Sequence, residues 1–245
     1  MIKKYIKLGI ITLISLHASS EFNMPWKMVN KAIIIDPYYA NNMDFDKIKR
    51  DTDVIAIIHK ASQGNRIDSK YKERRKIAKN KGYLWGSYHL GTNKDPIKQA
   101  KFYLKTIDYK NHPNDLLALD IEGIGGNNIS LQNAKKFITY IVKETKHYPF
   151  IYANEKVTKE IIKNSEENDI LLKCPLWYAR FIKNIDKSFP KKQWKTYTIW
   201  QFSSEIEVQY KIPGTDNDID INIYNGTKQQ LKENWPLMPK NETIK

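Results

Sequence analysis

The segment Leu116 to Glu122, LLALDIE, is an apolar run that ends in two carboxylates and then breaks into the flexible GIGGNN. Residues i and i+2 of a strand point to one face. Asp120 and Glu122 are therefore predicted to stand side by side where a buried strand meets a loop, as an acid/base pair would. The triplet alone carries little weight; its context carries more. Other strand-like runs also finish in polar or aromatic residues in place of ordinary turn chemistry: Asp36, Lys60, His89, Tyr152, Trp177 with Arg180, and Trp200 with Gln201. Aromatic faces that stack on sugar rings, together with carboxylates and groups that read hydroxyls, suit a carbohydrate cleft.

That set is poor for a metal. His59, His89, His112 and His147 occur singly, with no His-x-His or His-Glu-x-x-His spacing, so no metal or other cofactor is expected. Gly-x-Ser-x-Gly, P-loop and dinucleotide fingerprints are missing from the sequence, which disfavours serine and nucleotide chemistry. Cys174 is the single cysteine, so no intramolecular disulfide is available, and it reads as a buried filler.

The elements that must position these residues alternate. Strands are predicted at Ala32–Asp36, Val54–Lys60, Leu84–Leu90, Leu116–Glu122, Pro149–Ala153, Leu176–Arg180 and Thr196–Phe202. Helical periodicity falls at Ser69–Lys81, Pro96–Thr106 and Leu131–Thr145; Asp95 before Pro96 and Ser130 are start signals for the last two. The expected fold is α/β: a single irregular TIM-like β/α barrel, with regular βα units first and a strand-rich, helix-poor last third. In such barrels the chemistry gathers at the carboxyl ends of the strands.

Residues 1–20 stand apart. A basic MIKKYIK, a short apolar LGIITLISL and the small residues of HASS read as a secretory signal, cleaved near Ser20. The rival reading is an uncleaved anchor, but the apolar run is well short of the ~20 residues that span a bilayer. The catalytic domain is assigned to residues 21–235 and a disordered tail to 236–245. No later segment reads as a membrane span, and the mature chain is expected to be secreted or periplasmic and monomeric. Its net charge of +14 falls to +11 once the segment bearing Lys3, Lys4 and Lys7 is removed. That charge favours an anionic partner. Lysines spread along the whole chain and no nucleic-acid motif appears, so an anionic cell-envelope polymer is expected before nucleic acid.

Taken in order, IIIDPYY, IIHKASQG, Asp68, GSYHL, LALDIE, FIYAN, LWYAR, IWQFS and DINIYNG resemble the glycoside hydrolase family 25 muramidases, lysozymes of the cell-wall type. The resemblance runs from about residue 31 to 235. It implies that Asp36, Asp120, Glu122 and Asp220 line a catalytic groove. Glu122 would be the general acid, its proton held by burial and by Asp120 beside it. The substrate's own N-acetyl group would act as nucleophile, oriented by Asp120, while Asp36 and Asp220 set the electrostatics and hold sugar or water. The substrate-binding set is expected to be Tyr38, Lys60, Tyr88, His89, Tyr152, Trp177, Trp200 and Gln201. The family commonly has Asp-x-Ser after the first strand where this chain has Asp36, Pro37 and Tyr38, a departure that bears on substrate fit. The substrate implied is the peptidoglycan glycan strand, cleaved between N-acetylmuramic acid and N-acetylglucosamine. With no wall-binding repeats after the domain, targeting is expected to rest on the cleft and on charge. The rival reading is a catalytically impaired barrel that binds glycan as a scaffold or inhibitor.

Overall fold

The computed structural model describes residues 28–123, 125–182, 184–185, 189–192, 194–203, 211–216 and 219–241. The expected signal at 1–20 lies outside the described residues.

In chain order the strands are β1 (Lys31–Ile35), β2 (Val54–Gln63), β3 (Arg66–Ile67), β4 (Leu84–Leu90), β5 (Leu116–Ile121), β6 (Phe150–Asn154), β7 (Leu176–Ala179), β8 (Ile199–Ser203) and β9 (Ile221–Thr227). The helices are α1 (Phe45–Asp51), α2 (Tyr71–Asn80), α3 (Pro96–Thr106), α4 (Leu131–Thr145), α5 (Glu155–Asn164) and α6 (Lys228–Asn234). The sheet runs β1-β9-β8-β7-β6-β5-β4-β2-β3, and β1 also pairs with β2, which closes it into a barrel. β3 is a short hairpin arm on β2 outside the closure.

Parallel pairing holds from β1 through β2, β4, β5, β6 and β7 to β8. Every residue of β5 is buried, as expected of a strand covered on both faces. Helix starts follow local chemistry. The Asp95 carboxylate accepts from the amides of Ile97 and Lys98, both at 2.9 Å, and Ser130 accepts from Asn133 at 3.2 Å. β9 breaks the regular pattern. It is antiparallel to both β8 and β1, so the barrel closes without a final crossover helix.

The last third is helix-poor as expected; α5, which the sequence reading did not place, precedes it, following β6 and burying Val157, Thr158, Ile161 and Ile162. The disordered tail expected at 236–245 needs correction over its first six residues. Met238 is 7% exposed, its sulfur receives the amide of Leu117 at 3.3 Å, and the carbonyl of Pro239 receives that of Tyr148 at 2.9 Å. Residues 236–241 thus pack beneath the amino-terminal ends of β5 and β6, held by an apolar anchor and added backbone pairing. Residues 242–245 lie outside the described residues.

Candidate active site

One rim of the barrel, formed by the carboxyl ends of the parallel strands and the amino end of antiparallel β9, gathers all four acids. Asp36 follows β1, Asp120 lies near the end of β5, Glu122 just beyond it, and Asp220 just before β9. The Asp36 amide donates to the Asp220 carbonyl at 3.2 Å, joining two of these ends directly. Above them opens a groove of about 610 Å³ lined by Glu122, Tyr152, Asn154, Glu155, Arg180 and Asp220, among others.

Asp120 is 4% exposed and Asp36 6%. Burial raises both carboxyls well above the ordinary range. For Asp36 the next cause is the charge of Asp220; for Asp120 it is Glu122, opposed by the positive charge of Lys60. Two neutral amides hold Asp36: Gln201 donates to Oδ2 at 2.9 Å, and Asn222 donates to Oδ1 in a very short contact. Oδ1 of Asp120 is buried and receives no hydrogen bond from a described residue. Glu122 is exposed, so the burial expected for it acts on Asp120 instead. Asn154 fixes the backbone at Glu122 by donating to its carbonyl at 3.2 Å, while its own Oδ1 caps α5.

Strand alternation sorts the other candidates. On β4, Tyr88 faces inward among Asp36, Asp120 and Asp220, and burial with those charges lifts its phenol well above 10. Tyr152 is similarly raised, by burial first and then by Asp120; its hydroxyl donates to Gln201 Oε1 at 2.8 Å. Lys60 is half-buried at the rim, where it donates to Gln63 at 3.1 Å. Trp177 is 1% exposed beneath the groove, edge-on to Tyr152 at 5.0 Å and Tyr88 at 6.1 Å. It supports the two phenols and offers no open stacking face. Gln201 is likewise buried against Asp36. Tyr38 sits partly exposed on the loop after β1, its carbonyl held by Arg74 at 2.7 Å. Asp68 anchors the same loop by accepting the Tyr39 amide at 2.8 Å.

His89 and Trp200 are placed elsewhere. Both are fully buried on the outer face of the strand layer. His89 lies between Ser62, at 2.8 Å, and Gln99 of α3, at 3.2 Å, and stacks on Phe137 of α4. Trp200 packs against Tyr197 and Phe202 and donates to the Arg180 carbonyl at 2.8 Å. Each is one residue out of phase with an inward neighbour, Tyr88 or Gln201, and the period of two sends it to the outer face of the barrel.

Asn222 was assigned no role from sequence, although Asp220-x-Asn222 repeats the i, i+2 spacing of Asp120-x-Glu122 and could have flagged it. Arg180 and Glu155, paired at 2.9 Å, also line the groove without having been placed in the binding set.

Comparison with known proteins bears on this geometry. The sequence model described as Glycosyl hydrolases family 25 matches residues 35–210. An autolytic lysozyme of Clostridium acetobutylicum is 30% identical over 167 residues, 63% of this chain and 48% of that protein. An uncharacterized protein, YegX, of Escherichia coli (strain K12) is 24% identical over 180 residues, 71% of this chain and 60% of that protein. The chain thus spans about half to three-fifths of the length of these curated relatives. Among solved structures, a family GH25 lysozyme from Aspergillus fumigatus superposes with a TM-score of 0.66 at 25% identity, covering 83% of this chain and 98% of that one.

Proposed function

Because the chain belongs to glycosyl hydrolases family 25, we propose that it is an N-acetylmuramidase, hydrolysing the β-1,4 bond between N-acetylmuramic acid and N-acetylglucosamine in peptidoglycan. The observation that carries this reading is the convergence of Asp36, Asp120, Glu122 and Asp220 at one strand-end face beside an open groove.

In this reading Glu122, open to the groove, gives its proton to the leaving glycosidic oxygen as the bond to C1 breaks. The acetamido carbonyl oxygen of the N-acetylmuramic acid closes on C1 in the same step. Asp120 lies two residues before Glu122 with an oxygen that no described residue hydrogen-bonds, suited as a carboxylate to receive the acetamido N–H and to balance the positive charge that forms. Water then opens the cyclic intermediate, and Glu122, now a carboxylate, takes the water's proton. Asp36 and Asp220 supply negative potential across the groove floor, while Tyr152 and Tyr88 form its phenolic wall.

The proposed site of action is outside the inner membrane, in the envelope or beyond, and the support is the signal-like composition of residues 1–20. Among the described residues no helix is long and apolar enough to cross a membrane. The positive charge of the chain suits an anionic wall polymer.

Mass spectrometry of digested, borohydride-reduced peptidoglycan tests the assignment. New reducing ends of N-acetylmuramic acid are expected. Reducing N-acetylglucosamine ends would move the cleaved bond, and no new ends at all would leave a glycan-binding barrel.

A further inference from the structure

We propose that Asn222 and Gln201 are positioning residues for Asp36, their amides oriented by Trp177 and Tyr152 so that both oxygens of Asp36 accept hydrogen bonds and Asp36 is the resident anion of the site. The consequence for hydrolysis rests on the muramidase reading; the proton order among the acids does not.

The two amides lie directly opposite each other on adjacent strands, Gln201 of β8 and Asn222 of β9, and Asn222 is also opposite Ile34 of β1. Opposed residues share a face, so both amides project toward the end of β1, where Asp36 begins the loop. Which end of an amide faces which neighbour follows from the partners. An indole N–H only donates. Trp177 Nε1 lies 2.6 Å from Asn222 Oδ1, so the NH₂ group must turn the other way, toward Asp36 Oδ1 and the carbonyl of Ile34 at 3.3 Å. A carbonyl only accepts, so the opposite orientation loses at both ends.

Gln201 is oriented conditionally. Its Nε2 donates to Asp36 Oδ2 while Oε1 receives the hydroxyl of Tyr152. A flipped amide would place Oε1 against Asp36, which requires a proton on the carboxyl. The orientation of Gln201 therefore follows the charge of Asp36, and the Tyr152 hydroxyl biases it toward the anion.

These donors act against an unfavourable field. Asp220 ahead of β9 and Asp120 on β5 both oppose a charge on Asp36. The phenols of Tyr88 on β4 and Tyr152 on β6 stay neutral. The charge of Lys60 on β2 acts on Asp120, and among the described residues no Lys or Arg pairs with Asp36. Burial opposes ionisation of both buried acids, but Asp36 has one fixed donor in Asn222 and a second in Gln201, whereas Asp120 Oδ1 has none among the described residues. Hydrogen bonds to a charged group commonly shift an equilibrium by about ten- to a hundredfold.

The test is a carboxyl ¹³C titration of the full chain labelled at aspartate, with resonances assigned by Asp36→Asn and Asp120→Asn. In the wild type Asp36 is expected to ionise at lower pH than Asp120. Asn222→Asp, which removes the fixed donor, is expected to raise the proton affinity of Asp36 at least tenfold. Tyr152→Phe, at a partly exposed position, should raise it by a smaller factor in a normally folded protein. Asp36 titrating after Asp120, or an unmoved Asp36 in folded Tyr152→Phe, overturns the proposal. The acid limb of kcat/KM should follow the Asp36 midpoint in the same variants. A protein that shows the proton order yet cleaves no glycan keeps this inference and loses the muramidase reading, whereas cleavage with Asp36 titrating last does the reverse.

Discussion

Asp120 and Glu122, two residues apart at the end of one strand, are divided by the barrel rim: Asp120 is 4% exposed, and Glu122 stands open in the groove. One spacing thus supplies two environments. Desolvation, followed by the charge of Glu122, raises the carboxyl of Asp120 well above the ordinary range, while Glu122 meets solvent and incoming substrate. The acid expected to be the buried member of the pair is its exposed member.

Glu122→Gln preserves shape and removes the transferable proton. A general acid contributes ~10² to 10⁴ in rate, so clearing of wall suspensions should fall by that order with an unchanged melting curve and retained binding to insoluble peptidoglycan. Near-normal turnover would move the acid to Asp36 or Asp220.

Asp120→Asn should impair catalysis and stabilise the fold. A carboxyl raised by burial contributes stability that is present at pH values below its unfolded value, ~3.9, and lost as pH rises through its folded value. The amide has no such loss. The variant should match wild type near pH 4 and melt higher, by on the order of a few degrees, at neutral pH. Paired thermal melts across that range check the sign; a variant that melts lower at neutral pH refutes it.

His59 and His89 should stay neutral well into acid. Burial lowers them from 6.5 to about 3 and about 4 respectively. His59 Nδ1 faces the Lys60 carbonyl at 2.7 Å, which only accepts, so Nε2 is the acceptor toward Arg74 at 3.2 Å. Their imidazole resonances should not move between pH 7.5 and 5. Because the unfolded rings take up protons near 6.5 and the folded ones do not, this pair contributes stability that declines as pH falls below 6.5, opposite in sign to Asp120. A titration midpoint near 6.5 for either ring would contradict the packing.

Trp200→Ala should act on stability and not on substrate affinity. Its ring is fully buried on the outer face of β8, against Tyr197 and Phe202, and truncating such a side chain removes ~3–5 kcal/mol. Denaturant titration should register that loss while KM of the folded enzyme stays within about twofold. A large rise in KM with little loss of stability would return Trp200 to the groove.

Activity should survive exhaustive chelation, since the proposed steps move protons between carboxylates, sugar and water alone. Loss under EDTA that zinc restores would show that a metal takes part.

The barrel was legible in the sequence because a strand buried on both faces is apolar along most of its length, as in LLAL before Asp120, and because Asp95 and Ser130 act on amides two to three residues away. The rim position of Asp36, Asp120 and Glu122 was legible because strand-end position is a one-dimensional property and in a parallel barrel such ends share one face, whereas Asp220 was named through the family resemblance alone. The last strand was not. Asn222, Asn225 and Gly226 give INIYNGT the composition of a loop, and it becomes a strand by pairing with β8 and β1, which lie 25 and 190 positions earlier at the paired residues Ile199↔Tyr224 and Ile33↔Ile223.

What the sequence determined by itself is which chemistry is available and at which ends of which elements. What only the tertiary structure decided is which side of the strand layer each group faces and what it meets there. His89 and Trp200 differ from Tyr88 and Gln201 by one position, and a period of two turns that single step into outer face or barrel interior. The environments of Asp36, Asp120 and Glu122 likewise depend on burial and on partners distant in sequence, such as Asn222 at 186 positions from Asp36. Desolvation and hydrogen bonding act through space, so the same carboxyl acquires its proton affinity only when the barrel closes around it.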